Sequence, residues 1–125
     1  MNLLLDTHTL LWWLTDDPTL SRAARSAIAD QGNTVYLSPV VVWELRIKQG
    51  LGKLELPDEF REVLDAQPFT ELPITSAHAH EIAVLPSLHR DPFDRMLVAQ
   101  ARLEELTLVS RDAFLADYGV DLLEA

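Results

Sequence analysis

The chain has 125 residues, which we expect to form a single domain over 1–125 with one hydrophobic core. Its 20 acidic and 10 basic residues give a formal net charge of −10, which argues against nucleic-acid binding through a broad basic surface and favours a basic protein partner. Cysteine is absent and no apolar run approaches the ~20 residues of a membrane span, so we expect a cytoplasmic protein without disulfides, thiolate metal sites or membrane helices.

The first predicted element is a strand that ends at an acidic residue. Three consecutive leucines follow Asn2, a pattern typical of an inner strand of a parallel sheet that is covered on both faces. Asp6 comes directly after the leucines, and the polar residues 7–9 are predicted to cap a helix over residues 10–14. Ligands of open α/β sheets bind outside the carboxyl ends of the strands, so Asp6 is expected at the ligand edge.

A turn, a second helix and a second strand are predicted next. Pro18 fixes its own φ and disfavours helix at the residue before it, so residues 16–18 are predicted to form a turn. Ser21 is the predicted N-cap of a helix rich in alanine and arginine, which should end near Gly32 in a left-handed conformation. The β-branched and aromatic residues 34–37 predict a strand.

The third predicted helix carries an acid on its apolar face. Ser38 is the expected N-cap, with proline at the first helical position. At about 100° per residue, Glu44 shares a face with Val40, Ile47 and Leu51. An ionised carboxylate in that setting is costly unless a positive group meets it. The alternative is a glutamate at the edge of the apolar face whose carboxylate reaches water.

The middle of the chain predicts two helices around a short strand. One helix is expected over 56–66. A strand is expected over 69–74, where Pro73 requires either a sheet edge or the last position of the strand. Thr75 or Ser76 should cap the next helix, which ends near residue 85. Its His78 and His80 are two residues apart, whereas a zinc pair would be three or four apart, so we expect both imidazoles in solvent.

A long helix is predicted to begin with two acids. Asp91 precedes Pro92, which predicts an N-cap followed by proline at the first helical position. Asp94 then falls at the third position, where the helix dipole and a capping box favour an acid for structural reasons. Asp94 also shares a helical face with Val98 and Ala101, which would direct its carboxylate toward the sheet.

The end of the chain repeats the pattern of its beginning. Residues 107–110 predict an apolar strand that is followed by Asp112, and then a short helix over 113–117, a turn at 118–119 and a strand over 120–123. Strands that alternate with helices predict an α/β fold with a parallel sheet, right-handed crossovers and helices on both faces.

Four acids are therefore expected at one edge of the sheet. Two carboxylates about 4 Å apart repel by about 4 kcal/mol at an effective dielectric of about 20, so a fold would retain such a cluster only for a cation. Oxygen ligands without cysteine indicate Mg²⁺ or Mn²⁺, and the chemistry that follows is metal-assisted phosphodiester hydrolysis. Thr7 and Ser110 could hold a ligand carboxylate or a water, or could be capping hydroxyls. The four predicted residues are Asp6, Glu44, Asp94 and Asp112.

The motifs LLLDTHTLLWWL, SPVVVWEL, HRDPFDRMLVAQA and TLVSRD together resemble the PIN-domain ribonucleases of the VapC-type toxin class, from type II toxin–antitoxin systems. The resemblance covers nearly the whole chain. It implies a PIN-like fold with a five-stranded parallel sheet and Mg²⁺- or Mn²⁺-dependent endonuclease activity on RNA. It also implies toxin homodimers and control by a cognate antitoxin whose peptide lies over the site.

Carried over by position, the family's catalytic and metal-binding acids match Asp6, Glu44, Asp94 and Asp112. His8 stands where many relatives have Asn or Ser. Asp91 is an additional acid of this subgroup, for which we favour the structural N-cap role.

Two other functions were considered. A metal-dependent phosphatase would use Asp6 as a nucleophile, but it needs a second aspartate where His8 stands. A non-catalytic interaction protein is expected to have lost an acid, and none is missing. The tryptophans, Trp12, Trp13 and Trp43, are expected in the core or a dimer interface more than as base-stacking surfaces. Basic residues near the proposed rim are each expected to be solvated: Arg46, Lys48, Lys53, Arg90, Arg95 and Arg111.

Overall fold

A five-stranded, wholly parallel sheet organises the chain, in a computed structural model that describes residues 1–88 and 91–125. The strand order is β3-β2-β1-β4-β5, so the first strand of the sequence lies in the middle. The predicted α/β class and five-stranded parallel sheet are confirmed. The strands are β1 (Asn2–Leu5), β2 (Thr34–Leu37), β3 (Thr70–Glu71), β4 (Thr107–Ser110) and β5 (Asp121–Glu124).

Helices surround this sheet, and most begin at the residue that the sequence predicts. Side chains of Ser21, Ser38, Thr75 and Asp91 each accept a hydrogen bond from a backbone N–H in the first turn of the helix that follows. The helices are α1 (Thr7–Leu14), α2 (Arg22–Ala29), α3 (Pro39–Gly50), α4 (Phe60–Asp65), α5 (Ser76–Glu81) and α6 (Pro92–Glu104), with 3₁₀ helices at Ile82–Val84 and Ala113–Tyr118. No helix among the described residues is both long and apolar enough to cross a bilayer.

The centre of the sheet is also the centre of the core. Leu3, Leu4 and Leu5 are fully buried, as expected for a strand covered on both faces, and each contributes about 1.5–3 kcal/mol through burial. Strand β1 is paired with β2 on one side and β4 on the other. Because all strands run parallel, their carboxyl ends meet at one edge, where residues 6, 38 and 111–112 leave the sheet.

The start of α1 differs from the prediction. The helix begins at Thr7 instead of residue 10, and Asp6 is the N-cap, since its Oδ1 accepts a hydrogen bond from the Thr9 N–H at 2.9 Å. The threonine hydroxyls bind other elements: Thr7 donates to Glu44 in α3, and Thr9 donates to the Val109 carbonyl in β4 at 2.9 Å. These hydroxyls are buried and need partners, so tertiary contacts decide which residue caps the helix.

The turn before α2 agrees with the prediction, whereas the end of α2 does not. Residues 16–18 form the predicted turn, where hydrogen bonds from the backbone and side chain of Thr19 hold the pKa of the Asp17 carboxyl below its usual range. The left-handed conformation predicted at Gly32 was wrong. Helix α2 ends at Ala29, its C-cap Asp30 has extended backbone, and the Asp30 carboxylate accepts a hydrogen bond from the Gly32 N–H at 2.8 Å.

Burial also corrects two predictions on helix faces. Leu51 is 65% exposed and Ile47 is also exposed; the buried residues of α3 are Val40, Val41, Glu44 and Leu45. His80 is exposed as predicted, but His78 is 1% exposed. The His78 Nδ1 accepts from the Thr75 N–H at 3.0 Å and its Nε2 lies 2.9 Å from Glu104, so this imidazole is a structural link between α5 and α6.

Candidate active site

A cavity of about 180 Å³ opens at the carboxyl edge of the sheet. All four acids predicted for the site line it, although they come from positions spread over more than 100 residues of the chain. Asp91 lines it too. We call this space the carboxylate cavity, and its lining residues are Asp6, Thr7, His8, Trp12, Glu44, Lys48, Asp91, Asp94, Arg111 and Asp112.

Three of the lining aspartates are held by the helices that they cap. Asp6 caps α1, and Asp91 accepts hydrogen bonds from the N–H groups of Phe93 at 2.8 Å and of Asp94 at 3.2 Å. Asp112 accepts from the Phe114 N–H at 3.1 Å. A helix N-terminus carries partial positive charge, so each carboxylate lies where a negative charge is stabilised. Capping thus fixes the position of these aspartates at the cavity before any ligand binds.

Ser110 supports the position of Asp112 from the end of β4. Its buried hydroxyl accepts a hydrogen bond from the Asp112 backbone N–H at 3.1 Å. This contact orients the backbone of Asp112, and it agrees with the capping alternative for Ser110.

Glu44 is the most buried of the lining carboxylates and has a partner on each oxygen. The Thr7 hydroxyl donates to its Oε1 at 2.5 Å, and the Lys48 ammonium lies 2.7 Å from its Oε2. The Glu44 side chain is 6% exposed, so the alternative in which it reaches water is wrong. The requirement for a positive partner is met by Lys48, one helical turn further along α3.

The carboxylate cavity is strongly acidic. Among residues 1–88 and 91–125, five lining carboxylates face two lining cationic side chains, Lys48 and Arg111, which gives these described residues a formal charge of −3 with His8 neutral. The Arg111 guanidinium lies 4.7 Å above the Trp12 ring and donates to the carbonyl oxygens of Thr19 and Ala125. Lys48 and Arg111 are therefore bound by protein groups, and the expectation that each is simply solvated was wrong for both.

Aromatic side chains form one wall of the opening. The exposed His8 ring lies 5.8 Å from Trp12, which is half-buried and in turn contacts Arg111. Trp13 packs away from this wall, and its Nε1–H donates to Gln67 at 3.0 Å. Trp12 therefore belongs to the cavity as well as to the packing around the core.

The remaining basic residues predicted at the rim have other roles or lie elsewhere. Arg95 donates to the carbonyl oxygens of Ile82 and Pro86, and Arg46 lies over the Phe60 ring at 5.2 Å. Lys53 is exposed and does not line the cavity. The prediction for Arg90 lies outside the described residues, as does the start of its motif at position 89.

The donor set can be compared with the needs of a divalent cation. Across residues 1–88 and 91–125, no three His, Asp or Glu side chains are arranged to hold a metal ion. The reason is orientation, since Glu44 points to Thr7 and Lys48 while Asp6, Asp91 and Asp112 accept from helix N–H groups. A carboxylate oxygen keeps a second lone pair beside such bonds. The oxygen donors therefore suit Mg²⁺ or Mn²⁺ chemically, but side chains must reorient to coordinate one.

Two features of the site were missed from the sequence. The Glu44–Lys48 pair has the i,i+4 spacing of helical ion pairs, so that spacing could have indicated it. The contact of Arg111 with Trp12 joins residues 99 positions apart and has no local signal.

A larger groove of about 560 Å³ lies between α3, α4 and the β3 edge of the sheet. Trp43, on its wall, is 59% exposed and packs edge-on against Phe93 at 5.3 Å. Apolar lining is provided by Leu37, Val42, Trp43, Phe60, Leu64 and Phe69. Trp43 is therefore not a core residue, and the other part of the expectation, a place in a dimer interface, stays a prediction. We refer to this surface as the Trp43 groove.

Comparison with known proteins gives one family and a set of similar folds. The sequence model of the family described as PIN domain matches residues 3–120. VapBC2 from Rickettsia felis, solved bound to a DNA fragment from its promoter, superposes with a TM-score of 0.75 at 18% identity, covering 98% of each chain. FitAcB from Neisseria gonorrhoeae gives 0.69 at 23% identity over 98% of this chain and 96% of that one.

DNA-bound VapBC from Salmonella typhimurium gives a TM-score of 0.71 at 16% identity, over 98% of this chain and 97% of that one. At these identities the three structures indicate a shared fold. None of the curated proteins compared matches the sequence.

Proposed function

The chain belongs to the PIN-domain family, and from that premise we propose that it is a divalent-metal-dependent endoribonuclease, the toxin of a toxin–antitoxin pair. PIN domains are nucleases in general. The observation that carries the proposal is that Asp6, Glu44, Asp94 and Asp112 line one cavity at the carboxyl edge of a parallel sheet. Such crowding of acids is tolerated when a cation offsets their charge.

In this proposal Mg²⁺ or Mn²⁺ is held by Asp6, Glu44, Asp94 and Asp112. When bound, the ion supplies an activated water and offsets negative charge on the phosphodiester. The chain supplies orientation: Thr7 fixes Glu44, and capping fixes Asp6 and Asp112. Asp6, Glu44 and Asp112 are thus each held by a backbone or hydroxyl donor, so the fold places these three acids at the cavity.

RNA is the proposed substrate, approaching through the acidic opening of the carboxylate cavity. The cations at this opening, Lys48 and Arg111, offer contacts to phosphate oxygens. His8 and Trp12 offer ring surfaces on which an unpaired base can stack. The overall charge of −10 agrees with local phosphate contacts and disfavours a long basic track along the RNA.

An antitoxin is the proposed protein partner, whose peptide lies over the carboxylate cavity, and we place a further part of this peptide in the Trp43 groove. Exposed aromatic surface of this kind marks interaction sites, and the acidic chain favours a peptide that carries basic residues. The solved VapBC structures agree with assembly into a complex. A single domain over 1–125, toxin homodimers within the complex and a cytoplasmic location complete the proposal.

The activity is tested on two substrates under three metal conditions. Purified protein is incubated with single-stranded RNA and with a small aryl phosphate, in Mg²⁺, in Mn²⁺ and in EDTA. We expect the protein to cleave the RNA but not the aryl phosphate, and to do so only when Mg²⁺ or Mn²⁺ is present. Hydrolysis of the aryl phosphate alone would identify a phosphatase, and no hydrolysis in any condition would identify a non-catalytic interaction protein.

A matched pair of variants excludes a contaminating nuclease. Asp112→Asn removes a proposed ligand, whereas Asp117→Asn changes an exposed aspartate of the adjacent 3₁₀ helix that does not line the cavity. We expect the first variant to lose metal-dependent RNA cleavage and the second to keep it. Equal activity in both would remove the carboxylate cavity from the mechanism.

A further inference from the structure

We propose that Lys48 is an internal counter-ion of the carboxylate cavity, which competes with the divalent cation for Glu44 and so sets the metal affinity of the site. This inference rests on the proposed function, because the cation is the one assigned there. The inference describes the role of Lys48 both in the metal-free protein and during metal binding.

The contact between Lys48 and Glu44 differs from an ordinary surface ion pair. Glu44 is 6% exposed and Lys48 is 37% exposed, with 2.7 Å between Nζ and Oε2. An exposed i,i+4 pair on a helix contributes little because water screens both charges. Here the acid is withdrawn from water, so its charge depends on protein donors, and Lys48 is the cationic one.

In the metal-free protein, the negative charge around Lys48 makes its ammonium group stabilising. In the described part of the chain five carboxylates line the cavity with two cations, Lys48 and Arg111, and Arg111 also binds the carbonyl oxygens of Thr19 and Ala125. Lys48 pairs with the most buried of the five acids. It therefore offsets part of the repulsion that the cavity would otherwise contain before a cation arrives.

Metal binding then works against the same contact. A divalent ion at Glu44 and an ammonium 2.7 Å from the Glu44 Oε2 repel each other, so the ammonium must withdraw as the ion enters. The partly exposed, flexible lysine stem allows this movement. In the metal-free protein this contact directs Glu44 toward Lys48, so Glu44 is one of the side chains that must reorient before the acids can coordinate an ion.

Metal affinity tests the inference directly, without any need for catalysis. Lys48→Met keeps a similar length and removes the charge, while Lys53→Met makes the same change at an exposed lysine outside the cavity. Calorimetric titration with Mn²⁺ should give a roughly tenfold lower Kd for Lys48→Met, because a unit positive charge beside the ion is gone. Lys53→Met should stay within about twofold of wild type.

A second measurement separates competition from a purely structural role. In EDTA, Lys48→Met should melt about 5 °C below wild type, since Glu44 loses its cationic partner. A structural ion pair predicts the same loss of stability but an unchanged or weaker Mn²⁺ affinity, and that result would overturn the inference. Lys48→Arg keeps the charge, so its affinity should stay within about threefold of wild type. A tenfold gain in Lys48→Arg would contradict the inference even if Lys48→Met did not fold.

The same measurements distinguish a failure of this inference from a failure of the proposed function. If wild type binds Mn²⁺ and cleaves RNA but Lys48→Met binds no more tightly, the inference fails and the function stands. If wild type neither binds Mn²⁺ nor cleaves RNA while Lys48→Met binds, the inference is supported and the function is not. If neither protein binds Mn²⁺, both are wrong.

Discussion

Removal of one hydroxyl should reveal how the buried carboxylate is supported. Thr7 is buried at the start of α1, and its hydroxyl donates to the Glu44 Oε1 at 2.5 Å. Thr7→Val keeps the β-branched shape and removes this donor. Hydrogen bonds to charged groups contribute about 1.5–3 kcal/mol, so we expect the free energy of unfolding to fall by about 2 kcal/mol. For a chain of this length the melting temperature should fall by roughly 8 °C.

The neighbouring threonine provides a matched control. Thr9 is also buried, but its hydroxyl donates to a neutral acceptor, the Val109 carbonyl at 2.9 Å. Thr9→Val should cost about 1 kcal/mol, less than Thr7→Val, because its acceptor carries no full charge. A double-mutant cycle of Thr7→Val with Glu44→Gln should give a coupling free energy of about 1–2 kcal/mol.

Urea unfolding in EDTA, followed by far-UV circular dichroism, measures all of these variants. The slope of free energy against urea should not change, so the loss appears as a lower midpoint. The reasoning would be refuted if Thr7→Val lost less stability than Thr9→Val, or if the cycle gave no coupling. Either result would mean that the hydroxyl does not hold the charged form of Glu44.

Three further predictions concern acids and a histidine that the fold holds in place. Asp94→Asn should abolish metal-dependent RNA cleavage while the metal-free protein unfolds at the same or a higher urea concentration; retained cleavage with a loss of about 0.3–1 kcal/mol would assign Asp94 to the helix terminus. Asp91→Ser should keep both RNA cleavage and stability, because serine also caps helices, whereas Asp91→Ala should lose about 1 kcal/mol in urea unfolding. Loss of cleavage in Asp91→Ser would instead make this residue part of the site. His78→Leu should lower the free energy of unfolding by about 1–3 kcal/mol, since the Thr75 N–H loses its acceptor, and an unchanged melting temperature would contradict the structural role.

Much of the fold could be predicted because its signals are local. The leucine run of β1, the β-branched residues of β2 and the strand β4 gave bounds that the structure reproduces to within a residue. Asp91 before Pro92 identified the first residue of α6. Each of these signals depends on backbone preferences of a few neighbouring residues, so distant contacts do not alter it.

The predictions that failed depend on contacts between distant elements. The sequence offers several capping residues around Thr7, and the choice of Asp6 follows from partners that the threonine hydroxyls find in α3 and β4. His78 was expected in solvent because its spacing from His80 does not suit a zinc pair, but the packing of α5 against α6 buries it beside Glu104. No local pattern contains that information.

The candidate site divides in the same way. Convergence of Asp6 and Asp112 could be predicted, since parallel strands end at one edge of a sheet. The direction of each carboxylate could not, because rotations of single side chains decide whether Glu44 faces Lys48 or the middle of the cavity. Interactions of Arg111 and Trp12 likewise depend on how loops fold back over the sheet.

Because Asp6, Asp91 and Asp112 cap helices, substitutions at these positions can affect function and folding separately. Asparagine caps a helix about as well as aspartate, yet it carries no charge with which to hold a cation. A single Asp→Asn substitution at position 6 or 112 should therefore give a protein that folds normally but lacks the proposed ribonuclease activity. Such an inactive variant would present the same outer surface to a protein partner, so it would compete with the active protein for binding to that partner.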